Sequence, residues 1–185
     1  MRRRNTSGSA PVAMSRATDP YPSLNWLSTG SGALSMALLR AVGPEGSIVG
    51  YELREDFAAR AAKNVESFLG PDQPYRVEIR DVYEGIDETG LDRIVLDLPE
   101  PWRVVKHATI ALRPGGIIVS YVPTVGQVAR LREELDDSPF GLAETMEVLQ
   151  RTWHVEGQSV RPDHRMVAHT GFLTAARLLD PDVPS

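Results

Sequence analysis

The chain has no cysteine. That excludes disulfides, thiolate catalysis and zinc–cysteine centres, and leaves the redox compartment open. No apolar run approaches the roughly 20 residues that cross a bilayer as a helix. Lysine is scarce: Lys63 and Lys106 stand alone and every other basic residue is arginine, which we read as coding bias. An overall positive field is also missing. Net charge is −5, so a polyanion would have to meet a local basic patch. The histidines show no metal-ligand spacing. His164 and His169 are five apart with no acid cluster beside them, and His107 and His154 read as structural, so no metal is expected.

What remains is an ordinary globular composition, 42% hydrophobic and 24% charged over 185 residues, which suits one compact domain. Residues 1–22 stand apart. They hold Arg2-Arg3-Arg4, three prolines and no acid before Asp19, with no helical or alternating period. A disordered basic tail is expected there, a domain over 23–180, and a short tail over 181–185.

The domain is organised around Ser28-Thr29-Gly30-Ser31-Gly32-Ala33-Leu34. A partly apolar run (Leu24, Trp26, Leu27) enters it, and an apolar helical pattern (Leu34, Ala37, Leu38, Ala41) leaves it. Strand, glycine turn and helix follow, with the first helical N–H groups aimed at whatever lies over the turn. A strand–helix rhythm continues. Strands are expected at 47–52, 75–81, 92–97 and 117–122, and helices at 55–69, 102–112 and 125–135. Alternation with short links predicts an α/β fold with a mostly parallel sheet covered by helices on both faces. The end breaks the rhythm. Residues 153–160 and 168–178 are strand-like, with no helix between them, and predict a C-terminal antiparallel hairpin on the sheet edge. Seven strands of this kind resemble the Rossmann-like class I methyltransferase fold.

Parallel sheets bind ligands beyond the carboxyl ends of their strands. Glu52, Asp81 and Asp97 each fall at such an end. Glu52 lies 20 residues after Gly32, the spacing at which a carboxylate meets ribose hydroxyls. Asp81 falls where a carboxylate can accept the exocyclic amine of an adenine. Asp97-Leu98-Pro99-Glu100-Pro101-Trp102 delivers a third carboxylate on a loop stiffened by two prolines. Each acid also has a plainer reading: Glu52 and Asp97 as helix caps, Asp81 as a turn residue.

Gly30-Ser31-Gly32-Ala33-Leu34, Tyr51-Glu52, Leu96-Asp97-Leu98-Pro99-Glu100-Pro101-Trp102, Arg161-Pro162 and His169-Thr170-Gly171-Phe172-Leu173 together resemble the tRNA (adenine-58-N1)-methyltransferases, most of all their actinobacterial members. The resemblance runs from about Thr29 to Leu178. It implies a cytoplasmic homotetramer that uses S-adenosylmethionine to methylate N1 of an adenine in the tRNA T-loop. It further implies cofactor contacts from Thr29, Gly30, Ser31, Gly32, Ala33, Leu34, Glu52, Asp81, Val82 and Asp97. Asp97 would be catalytic, accepting a hydrogen bond from the N6 amine of the target base. Pro99, Trp102 and Tyr121 would line the base slot, although Trp102 reads equally as core filler. Arg161, with Arg151 and Arg165, would meet phosphates, and His169-Thr170 would lie on the substrate side.

The chain departs from that family in two places. Family members carry a sizeable region before the glycine turn, whereas here 29 residues precede Gly30. The family's Glu-Ala-Gly-Thr-Gly-Ser-Gly-like stretch also becomes Trp26-Leu27-Ser28-Thr29-Gly30-Ser31-Gly32, with Trp26 in place of the acid and Ser28 in place of the first glycine. A truncated member with impaired cofactor binding is therefore expected. Two other classes stay open: an inactive remnant or assembly subunit, and a nicotinamide oxidoreductase, against which the terminal hairpin and Asp97-Leu98-Pro99 argue.

Overall fold

The computed structural model of the chain describes residues 23–27 (as backbone), 31–164 and 170–180. The turn residues Thr29 and Gly30, the substrate-side residues Arg165 and His169, and both expected tails lie outside them.

Strand β1 (Ser23–Leu27) is central. It pairs in parallel with β2 (Ser47–Glu52) on one side and with β4 (Leu91–Asp97) on the other. Beyond β2 lies β3 (Tyr75–Ile79), and beyond β4 lies β5 (Leu112–Val122), both also parallel. Helix α1 (Ala33–Val42) joins β1 to β2, and α2 (Glu55–Leu69) joins β2 to β3. After β4 come a 3-10 turn (Pro101–Val104), α3 (Val105–Ala111), β5 and α4 (Val125–Asp136). The chain thus winds outward from β1, returns to its other side, and winds out again. In open parallel sheets such a reversal, here between β1 and β4, marks the edge at which ligands bind.

Burial patterns explain the elements. In β4, Leu91, Ile94 and Leu96 are buried while Asp97 is exposed, so the last two strand residues point to opposite faces. Ile94, Leu96 and Ile118 pack with Val104, Val105, Leu131 and Leu135 into the larger core. Helix α2 buries Ala58, Ala61 and Val65, and Glu55 and Asp56 in its first turn suit the positive end of its dipole. Residues 113–116, between the expected helix at 102–112 and strand at 117–122, lie inside β5 as a break in its pairing, which jumps from Leu91↔Leu112 to Arg93↔Ile117, with Gly115 at φ +79°.

The far side of the sheet corrects one expectation. Strand β9 (Phe172–Leu178) is antiparallel, as anticipated, but its partners are β5 and an edge strand β6 (Phe140–Glu147). Residues 153–160 do not join the sheet. They split into β7 (Trp153–Glu156) and β8 (Ser159–Pro162), which pair only with each other around Gly157 at φ +56°. The main sheet has seven strands, in the order β3-β2-β1-β4-β5-β9-β6. Strand β6 escapes a period-two reading because a bulge inserts one residue between Gly141 and Glu144, with Leu142 at φ +52°. Among the described residues no helix is long and apolar enough to cross a membrane.

Ile94 is fully buried at the centre of this arrangement. Ile94→Ala removes about 2–5 kcal/mol of stability, to be read as a lower urea midpoint with an unchanged slope.

Candidate active site

The tips of β2, β3, β4 and β5 share one edge of the sheet, and the chemistry-bearing residues gather there. At the start of α1, Gly32 sits at φ +81°, and a Cβ there would stand 3.0 Å from the Ala61 carbonyl oxygen. Position 32 therefore needs glycine for both its backbone angle and its approach to α2. Asn64 Nδ2 donates to the Ser31 carbonyl at 2.9 Å, tying α2 to the turn. Leu34, in the first turn of α1, is exposed.

A cleft of about 200 Å³ opens beside the ends of β2 and β3. This is smaller than a whole-ligand pocket of about 300–1,000 Å³, and suits one planar fragment of a larger molecule. Leu53, Val82, Leu98 and Pro99 form its apolar walls, and Glu52 and Asp81 line it as well. Glu52 Oε1 accepts from the Arg54 N–H at 3.1 Å, and Asp81 Oδ1 accepts from the Tyr83 N–H at 2.9 Å. Both contacts close two-residue turns: Asp81 has its expected turn role, whereas Glu52 does not cap α2, whose N-cap Arg54 carries no side-chain cap bond. Behind the wall, Tyr51 Oη donates to Glu88 at 2.6 Å and accepts from the Asp87 N–H at 3.0 Å. Burial, then Glu88, pushes the Tyr51 phenol well above its usual range. Arg76 holds Glu88 and Arg80 pairs with Asp87, so the segment after Asp81 is stapled to β2 and β3.

Asp97 ends β4 with its carboxylate facing solvent and without a hydrogen-bond partner among the described residues. Desolvation by the surrounding protein pushes its pKa up. Tyr121 lies directly beside it in the β4–β5 register and is 40% exposed. The backbone of Gly171 presses on the Tyr121 ring so closely that a Cβ there would overlap it.

The structure distributes the remaining expected residues unevenly. Pro99 lines the same cleft as Glu52 and Asp81. Trp102 is buried, with Arg130 stacked 4.4 Å above its ring and its Nε1 unpartnered among the described residues. It packs the 3-10 turn beneath α4 and is not part of the cleft wall. Thr170 donates to Glu147, which ties the start of β9 to the end of β6. Arg161 sits on the separate hairpin opposite His154. Sequence reasoning missed Leu53, Asn64, Tyr83 and Gly171. Leu53 did leave a signal: a large apolar residue, 63% exposed, directly after a strand-terminal acid.

A reversed parallel sheet closed by an antiparallel strand, with acids at the tips of β2 and β4 and a third, Asp81, two residues beyond β3, which ends at Ile79 and not at the expected 81, defines a class I methyltransferase fold. Solved structures agree. The S-adenosylmethionine-dependent O-methyltransferase of Thermotoga maritima superposes with TM-score 0.80 at 34% identity, over 88% of this chain and 61% of that one. The tRNA (m1A58) methyltransferase TrmI of Aquifex aeolicus gives TM-score 0.74 at 29% identity, over 86% and 63%. The chain belongs to the family described as tRNA methyltransferase complex GCD14 subunit, which it matches over residues 26–163. It is 38% identical to the tRNA (adenine(57)-N(1)/adenine(58)-N(1))-methyltransferase TrmI of Methanocaldococcus jannaschii, over 81% of this chain and 62% of that protein. With the tRNA (adenine(58)-N(1))-methyltransferase TrmI of Thermus thermophilus it shares 37% identity, over 80% and 58%. The chain therefore spans about three-fifths of the length of these curated relatives.

Asp97 gives a pH-dependent test. Its folded pKa is raised, so the ionised form costs stability above that pKa and the cost disappears once the carboxyl is protonated in both states. Asp97→Asn raises the melting temperature at pH 7. The gain shrinks as pH falls through the folded pKa and is gone below the ordinary carboxylate range. Thermal scans of both proteins across pH measure it.

Proposed function

We propose that this chain is the cofactor-binding and methyl-transferring domain of a tRNA (adenine-58-N1)-methyltransferase. The observation that supports it best is the pairing of two features on one sheet edge: the acid-lined apolar cleft at Glu52 and Asp81, and beside Tyr121 the carboxylate of Asp97, which has no hydrogen-bond partner among the described residues. The residues fit S-adenosylmethionine. Glu52 accepts from ribose hydroxyls, Asp81 accepts from the adenine amine, and Val82, Leu98 and Pro99 cover the ring. Ser31, Gly32, Ala33 and Leu34 present N–H groups and a close backbone at the start of α1. The family resemblance adds Thr29 and Gly30, which lie outside the described residues.

The bound cofactor supplies a methyl group on a sulfonium. N1 of the target adenine carries its own lone pair, so no base must act before attack, and alignment of nucleophile and methyl dominates. Positive charge then develops on the target ring. Asp97 accepts from its N6 amine, and its carboxylate stabilises that charge. The base must leave its stack to enter the slot. Pro99, Tyr121, His169 and Thr170 contact it there, while Arg161 meets backbone phosphate.

Trp26 and Ser28 in the glycine motif favour a second reading, an inactive remnant that keeps only the fold. Calorimetric titration with S-adenosylhomocysteine separates the two. The enzyme reading expects micromolar binding, weakened by about 10–100-fold in Glu52→Ala, the loss of a charged hydrogen bond, with no binding of NAD. It also expects Asp97→Ala to cut methyl transfer to unmodified tRNA by about 100-fold or more. A folded chain that binds no S-adenosylhomocysteine would leave the remnant.

The proposal includes a homotetramer. Trp153, Val155 and Val160 on the β7–β8 hairpin, with Met146, Val148 and Leu149 beside it in sequence, are all exposed, more apolar surface than an isolated domain needs. Val155→Glu should shift the sedimentation coefficient towards smaller species; an unchanged value takes the hairpin out of the interface.

A further inference from the structure

One peptide group in the Asp97 loop is held from both sides. The carbonyl oxygen of Pro99 accepts from Gln127 Nε2 at 2.9 Å, and the N–H of Glu100 donates to Tyr83 Oη at 3.2 Å. These two atoms belong to the same planar peptide unit. Gln127 comes from the first turn of α4. Tyr83 comes from the cofactor cleft, whose wall it forms with Asp81 and Val82.

Tyr83 is itself held through its backbone and its ring. Its N–H donates to Asp81 Oδ1 at 2.9 Å, and its carbonyl accepts from His107 Nε2 at 3.1 Å. The Arg103 guanidinium lies 4.1 Å from its ring centroid, and that guanidinium is bonded to the Glu100 carboxylate at 2.9 Å. Burial pushes its phenol pKa up, which keeps the hydroxyl protonated and leaves its lone pairs for the Glu100 N–H.

We infer that Tyr83 is a positioning residue that links the cofactor cleft to the carboxylate of Asp97. Only Leu98 and Pro99 separate Asp97 from the clamped peptide, and the Pro99 ring fixes its own φ. The pleat of β4 sets the side to which Asp97 points, and the clamped Pro99–Glu100 peptide anchors the far end of its short link, which limits how far that carboxylate shifts. The other end of the link is Asp81, whose carboxylate orients the Tyr83 backbone. A ligand that engages Asp81 thereby acts on the same residue that anchors the link to Asp97. The inference rests on reading Asp97 as the group that meets the target base.

Tyr83→Phe tests it, because the ring, the Arg103 stacking and both backbone bonds stay while only the hydroxyl goes. In the cofactor-free chain the Glu100 amide should exchange about tenfold faster, the loss of one neutral hydrogen bond, and the titration midpoint of the Asp97 carboxyl, followed by NMR, should move. In turnover with unmodified tRNA, kcat should fall about 5–10-fold while the affinity for S-adenosylhomocysteine stays within about twofold. A merely structural role would lower the melting temperature and ligand affinity together without splitting them from kcat. Unchanged Glu100 exchange, an unmoved Asp97 titration, or an equal loss of kcat and affinity would each overturn the inference. If the wild-type chain transfers no methyl group, the proposed function fails, and the exchange and titration measurements still decide the role of Tyr83.

Discussion

Parallel pairing along β3-β2-β1-β4-β5 makes every one of those strands end at the same edge of the sheet. Strands so paired need crossover connections, and helices α1 to α4 supply or follow them. The direction of the chain is thereby fixed, and with it the place where strand-terminal side chains collect. Glu52, Asp81 and Asp97 come from three separate strand ends, and no local interaction would assemble them. The fold does so because Leu96 turns inward to the core and Asp97, one residue later, must turn the other way.

The edge is then made rigid by short polar ties. Asn64 holds the turn before α1, Tyr51 holds the Asp87–Glu88 backbone, and Tyr83 with Gln127 holds the peptide after Asp97. Each tie uses a side chain from a neighbouring element on a loop that would otherwise be free to move. Against this background Asp97 is the exception. Its carboxylate is exposed yet partly desolvated by the surrounding protein, and it has no hydrogen-bond partner among the described residues.

The strand-terminal acids were legible in the sequence because a parallel α/β rhythm alone says where a strand must stop. The expected helices match α2 and α4 to within a residue, since their apolar spacing is regular. Strand β6 was not legible: its bulge and the backbone angle of Leu142 destroy the alternation a strand is read by. The stretch 153–160 misled for the converse reason. It is strand-like throughout, and only Gly157 marks the turn that splits it. Gly171 stood in a recognisable motif and Tyr83 in none, but the role of neither was legible, because those roles arise from contacts with Tyr121 and Glu100, which the fold alone brings near.

The bulge in β6 has an effect beyond its own strand. An open sheet ends in two rows of unpaired backbone groups, each a template for another chain. Strand β6 breaks its row where Leu142 leaves the extended conformation, and it carries Glu144 and Glu147 along the rest. Strand β3, at the opposite margin, exposes Arg76 and Glu78, paired at 3.0 Å. The sheet is therefore closed to indiscriminate strand addition at both margins. A chain approaching either margin would meet side chains before backbone, so its fit would depend on its sequence.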